Sequence, residues 1–170
     1  MQYRFPLPVV LVCSLVACSD SSSPAGPASP TLRASAAEGR GPDEVDATFV
    51  WDEASAICGF PVEVHASGKS KLIALSEGRV TALSPALVAT VTNLATGATR
   101  TLSITGAFHI TTQANGNAVY VVTGRNLLTD PIAGFVLAVG RFSWTSDAQG
   151  GLVQPLSGIG QLTDVCALLR

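Results

Sequence analysis

The chain has 170 residues, 47% of them hydrophobic and 13% charged, with ten Lys+Arg against twelve Asp+Glu and a formal net charge of −2. That length holds one ordinary domain plus accessory segments. Charges this sparse, with no basic cluster, lack the electrostatic footprint needed to neutralise phosphates, which sets nucleic acid aside as a partner.

Residues 1–17 open with a single positive charge at Arg4 and continue through an apolar run over 9–17 that is too short to span a bilayer as a helix. This is the n-region and h-region of an export signal. The run ends in Leu15-Val16-Ala17-Cys18, which resembles the lipobox of bacterial lipoproteins, where the Cys becomes the acylated first residue of the mature chain. The resemblance implies a signal peptide over 1–17 and lipidation, of the palmitate type, at Cys18. It further implies a membrane-anchored lipoprotein of the cell envelope, facing the periplasm or the exterior. A plain secretory signal, or an uncleaved anchor weakened by Pro6 and Pro8, is the alternative and also exports the domain.

Ser, Pro, Ala and Gly dominate 19–30, and polar residues continue through Arg40-Gly41-Pro42-Asp43-Glu44. Such a segment cannot build a core, so 18–45 is expected to be a disordered tether with a reach of roughly 30 Å. The folded domain is expected over 46–170. Cysteine arithmetic then closes: Cys13 leaves with the signal and Cys18 takes the lipid. Cys58 and Cys166 remain in an oxidising compartment, where they are expected to pair. That bridge would close a loop of about 108 residues, worth roughly 4–5 kcal/mol in the chain-entropy account.

Only 7 Lys+Arg and 8 Asp+Glu cover the domain, so Thr and Ser supply much of its polar face. They do so in alternation: in 99–105, Leu102 and Ile104 fall on one side and Thr101, Ser103 and Thr105 on the other. Period-two stretches of this kind mark strands at 61–66, 71–75, 79–83, 87–93, 99–105, 107–112, 118–123, 135–144 and 152–160. Gly- and Asn-bearing turns at 94–97, 115–117 and 146–151 read as hairpin loops. The expected fold is all-β, a single antiparallel meander closed as a barrel of about eight strands, with a two-sheet sandwich as the alternative. A short C-terminal helix over 162–169 would start near Thr163, with Asp164 in its first turn.

At Cys58-Gly59-Phe60-Pro61, Thr123-Gly124-Arg125-Asn126 and Thr163-Asp164-Val165-Cys166, the chain resembles a loosely defined group of secreted bacterial β-proteins, mostly actinobacterial, with no assigned activity. The resemblance implies export, β-structure and the Cys pair, and it carries over no catalytic residues.

Few residues can carry chemistry. Glu63, His65 and Ser67 share one face of a strand, where a carboxylate beside an imidazole can orient a general base. His109 could meet His65 across a sheet, and with Asp52, Glu53 or Glu63 the pair could hold zinc, although no metal-binding spacing exists. Gly158-Ile159-Gly160 lacks the third glycine of a dinucleotide loop; these glycines and Gly140 read as strand bends. Arg141 falls on the apolar row of Phe135, Leu137 and Val139, where it could clamp an anionic ligand or pair with Asp130, Asp147 or Glu77. Arg125 and Asn126 are placed in a loop at the barrel mouth, and Trp51 and Trp144 could stack on a ring.

These features point to a monomeric lipid-anchored binding module for a small apolar or anionic ligand or an envelope protein, with no cofactor and no metal. The rival expectations are an enzyme, hydrolase- or isomerase-like, using Glu63, His65 or His109 as acid and base, and a structural or adhesive module.

Overall fold

A computed structural model describes residues 41–75 and 78–170. The expected signal peptide, Cys18, most of the tether and Glu77 fall outside the described residues. Among the described residues nine strands and two short helices follow one another: β1 (Asp43–Val50), α1 (Asp52–Cys58), β2 (Val62–Ala74), β3 (Arg79–Leu83), β4 (Val88–Asn93), β5 (Thr99–Ser103), β6 (Gly106–Thr112), β7 (Ala118–Asp130), β8 (Gly134–Ser146), β9 (Leu152–Asp164) and α2 (Val165–Leu168). Every pairing is antiparallel.

The alternation that marks strands is borne out in the packing. In β2, Val62 and Val64 are buried while Glu63 and His65 point the other way, and in β4, Ala89 and Val91 are fully buried between Thr90 and Thr92. The expected barrel is not formed. The pairing path runs β5-β4-β2-β3-β6-β7-β8-β9, with β1 on β2, and each end strand has a single partner. The antiparallel meander is present, with two of its strands broken. β3 and β4 both pair with β2, β3 over Lys71–Ala74 and β4 over Val62–Ser67, and the register slips by one residue between them. β5 and β6 run against β4 and β3 with the same slip. Each pair is therefore one strand interrupted in the middle.

The interruptions lie side by side. Lys69 N donates to Ala86 O, Ile104 N to Leu87 O and Arg125 N to Thr105 O, carrying hydrogen bonds across the breaks. The line then continues as a row of directly paired glycines, Gly106 with Gly124, Gly124 with Gly140 and Gly140 with Gly160. Backbones are too close there for side chains: a Cβ on Gly140 would overlap the Ile159 carbonyl oxygen and stand 2.7 Å from Gly160 Cα. Gly140 and Gly160 also take φ of 141° and 149°, which L side chains rarely adopt.

This crease divides the sheet. On one side, β1, β4, β5 and the first half of β2 form a layer whose Val62, Val64, Ala89 and Val91 share a core with Phe135 of β8 and with Leu127 and Leu137. Both helices close that core through Ala54, Cys58, Val165 and Cys166, together with Leu169 just after α2. A second core, Val122, Leu128, Val136, Ala138 and Phe142, lies on the opposite face of β7 and β8. The first half of β8 is thus buried on both faces.

Two elements were not expected. β1 begins at Asp43, inside the stretch assigned to the tether, because its edge pairs with β2 over eight residues. α1 is fixed by tertiary contacts: Ser55 Oγ donates to Trp51 O and accepts from Val62 N, and Gly59 adopts left-handed φ at the C-terminus. At α2 the cap is Asp164, not Thr163, its carboxylate accepting from Ala167 N at 3.1 Å.

Cys58 at the end of α1 and Cys166 in α2 form a disulfide across 108 residues of chain, as expected. Replacing both with Ser should lower the unfolding free energy by about 2–5 kcal/mol. Urea titration of the C58S/C166S chain checks this, and an unchanged midpoint would mean the helices hold without the bridge.

Candidate functional site

The residues expected to carry chemistry are distributed over three surfaces. Glu63 and His65 lie on the outer face of the first layer, with Ser67 beside them. Register places His65 between Thr48 and Thr90, and Thr90 beside Thr101. His65 Nδ1 shares a hydrogen bond with Thr48 Oγ1 at 2.9 Å and stands 3.8 Å from Asp46 Oδ1. Thr90–Thr101 and Thr92–Thr99 hydroxyl pairs at 3.3 and 3.4 Å extend the polar face, and Lys69 pairs with Glu44 at 3.4 Å. His65 retains 41% side-chain exposure. A dyad placed there faces water rather than a pocket.

His109 belongs to the other side of the crease. It pairs in register with Thr81 and Val121, and its Nδ1 shares a hydrogen bond with Thr81 Oγ1 at 3.0 Å. The two histidines are not brought together. Among the described residues there is no group of three or more His, Cys, Asp or Glu that could hold a metal ion.

Arg125 and Arg141 do come together, though not as expected. β7 runs unbroken through Asn126 to Asp130, so Arg125 is a strand residue rather than a loop residue. The loop expectation fails because Gly124 bends the strand without ending it. Arg141 is opposite Thr123 and Arg125 opposite Val139, which makes the two guanidinium groups diagonal neighbours on one face, both exposed. Arg141 does not enter an apolar lumen, since the open sheet leaves this face to solvent. Of its expected ion-pair partners, the two among the described residues are engaged elsewhere. Asp130 is buried and accepts from Ile132 N and Ala133 N in the β7–β8 turn, and Asp147 accepts from Gln149 N and Gly151 N in the next.

The same face carries two further cations that pattern alone did not bring forward. The register Lys71–Leu83–Ala107–Thr123–Arg141 is one row across five strands, and Arg79 lies on the same side opposite Thr111. At about 4.8 Å per strand, that row spans roughly 19 Å. Near the Lys71 end an open depression of about 490 Å³ is lined by Lys71, Leu83, Ser84, Pro85, Thr105 and Gly106, with Pro42. Neither Lys71 nor Arg79 stood out in the sequence, because only the pairing register reveals that they share a face with Arg125 and Arg141.

Trp144 points the other way, so it does not join the arginines. It stacks on Tyr120 at 4.9 Å and meets Phe108 edge-on at 5.7 Å, adjoining the second core. Trp51 packs edge-on against Phe135 at 5.4 Å and belongs to the first core. Both tryptophans are engaged by aromatic neighbours.

Compared with protein-family models, curated proteins and solved structures, the chain matches none.

His65 makes one hydrogen bond on an exposed face, so His65→Ala should shift the unfolding free energy by no more than about 0.5–1 kcal/mol. Thermal unfolding of the variant checks this. A loss well above that range would mean the Thr48–His65 contact anchors β1.

Proposed function

We propose that the chain is an exported, lipid-anchored binding module of the cell envelope that engages an anionic partner through the face bearing Arg125 and Arg141. The observation that carries this reading is a segregation of charge. Arg125 and Arg141 share one face, and their described register partners there, Thr123, Val139 and Ile159, are all uncharged. The outer face of the first layer instead holds Glu44, Asp46 and Glu63, with Lys69 paired to Glu44. A molecule of net charge −2 that sorts its charges in this way carries a dipole, which steers anions towards one face and away from the other.

The address rests on the lipobox-like Leu15-Val16-Ala17-Cys18 and on the Cys58–Cys166 bridge, which suits an oxidising compartment. The β-rich chain is best taken as a two-sheet sandwich over the part where the first layer faces β7 and β8. With the sheet open at β5 and β9, a partner laid against a face is favoured over a small ligand held in a lumen.

The test is binding of the full chain carrying Cys18→Ser to phosphatidylglycerol vesicles, with neutral phosphatidylcholine vesicles as the control. Binding should be confined to the anionic vesicles and should weaken as salt is added. Arg125→Glu with Arg141→Glu should reduce it by about tenfold or more, at roughly 1 kcal/mol per basic residue near an anionic surface. Equal binding by the double variant, or none by the parent, would remove the proposed face from the account.

A further inference from the structure

Among the described residues the sheet ends in edges that have no further strand and are guarded unequally. β1 carries Asp43, Glu44 and Asp46, and β5 is only five residues long and carries Arg100. β9 runs for thirteen residues with no charge before Asp164. Its apolar side chains are bare: Ile159 is 86% exposed, Val153 50%, and Leu152 and Leu162 41% each. Unpaired N–H and C=O groups along such an edge are a template for another strand, and folded proteins ordinarily blunt them with charge, proline or a bulge.

Only the first part of β9 is blunted in that way. Pro155 lacks an N–H, and the register against β8 slips between Gln154 and Ser157. At the other end the strand stops where α2 begins at Val165. The open stretch is therefore 156–164, and its midpoint is Gly160.

That symmetry identifies the strand that fits. In a two-fold antiparallel pairing, each residue meets the one equally far beyond the axis. With the axis at Gly160, Ile159 meets Gln161, Leu162 meets Gly158 and Ser157 meets Thr163. Each bulky side chain faces a small or flexible one, and no like charges are opposed. Asp164 falls opposite Leu156, with its carboxylate already capping α2.

We infer that β9 is a self-association edge: two copies of the chain pair through 156–164 about Gly160 and continue the sheet from one molecule into the next. Ile159 is in register with Arg141 of β8, and Gln161 with Val139. The cationic faces of the two copies thus lie on the same side of the joined sheet. The two Arg141 residues come to stand three strand spacings apart and two residues out of step along the strands, roughly 16 Å in all. This inference does not rest on the vesicle-binding role.

Sedimentation of the full chain carrying Cys18→Ser, which lacks the proposed lipid acceptor, reads the association directly. A monomer–dimer equilibrium is expected. Ile159→Lys changes a side chain with almost no contacts of its own, leaves folding unaltered, and should weaken dimerisation by about tenfold or more. An equal mixture of I159C and Q161C chains should cross-link into the mixed disulfide dimer faster than either chain cross-links alone. A chain that stays monomeric at hundreds of micromolar overturns the inference and leaves the edge to a foreign extended segment. A dimer that Ile159→Lys leaves intact, with no preference for the mixed cross-link, overturns it as well, because the copies then meet elsewhere.

Discussion

Along one line of this sheet there is no room for a Cβ. Gly106, Gly124, Gly140 and Gly160 are paired in sequence across four strands, and a methyl group on any of them would run into the backbone of its neighbour. The line extends to Gly68, where a Cβ would overlap the Ala86 carbonyl oxygen. Most of what distinguishes the fold follows from it. The strands are interrupted or bent at this level, so the first layer turns over the far half of the β7–β8 hairpin instead of continuing beside it. Two cores result, and Phe142 lies against Gly160 at the crease, occupying space that a side chain there would need.

The crease also decides where the polar chemistry goes. Because β2 passes from one layer to the other, Glu63 and His65 on its first half and Lys71 on its second serve different surfaces. Glu44, Asp46 and Glu63 lie on the outer face of the first layer, and Arg125 and Arg141 lie at the crease on β7 and β8. Arg125 and Arg141 flank the Gly124–Gly140 pair on the same face, so the bend that ended the barrel expectation also set them as neighbours. A surface partner suits such a face, and a joined β9 edge would extend it without disturbing either core.

Much of this was legible in the sequence. Period two in 99–105 and the hairpin turns gave the strand content, and cysteine arithmetic led to Cys58 and Cys166. What stayed hidden depends on register. Nothing local tells that Lys71, Leu83, Ala107, Thr123 and Arg141 form one row, or that Gly106, Gly124, Gly140 and Gly160 form another. Bend positions at Gly140, Gly158 and Gly160 were readable, but the paired row that splits the sheet was not. α1 escaped because its seven residues are held by Ser55, Gly59 and the bridge rather than by a periodic apolar face. Arg125 was misplaced because a glycine before a polar pair looks like a loop when it is a bend within a strand.

The most direct test of the crease compares two glycines that both lack a positive φ and differ in their surroundings. Gly106 is crowded by the Thr123 and Arg125 carbonyl oxygens, whereas Gly41 has nothing within 4 Å of an added Cβ. Chemical unfolding of Gly106→Ala and Gly41→Ala therefore reads the cost of crowding without a dihedral penalty. The crease predicts that Gly106→Ala loses about 1–3 kcal/mol more than Gly41→Ala. Equal losses would mean that close backbone approach does not govern the fold.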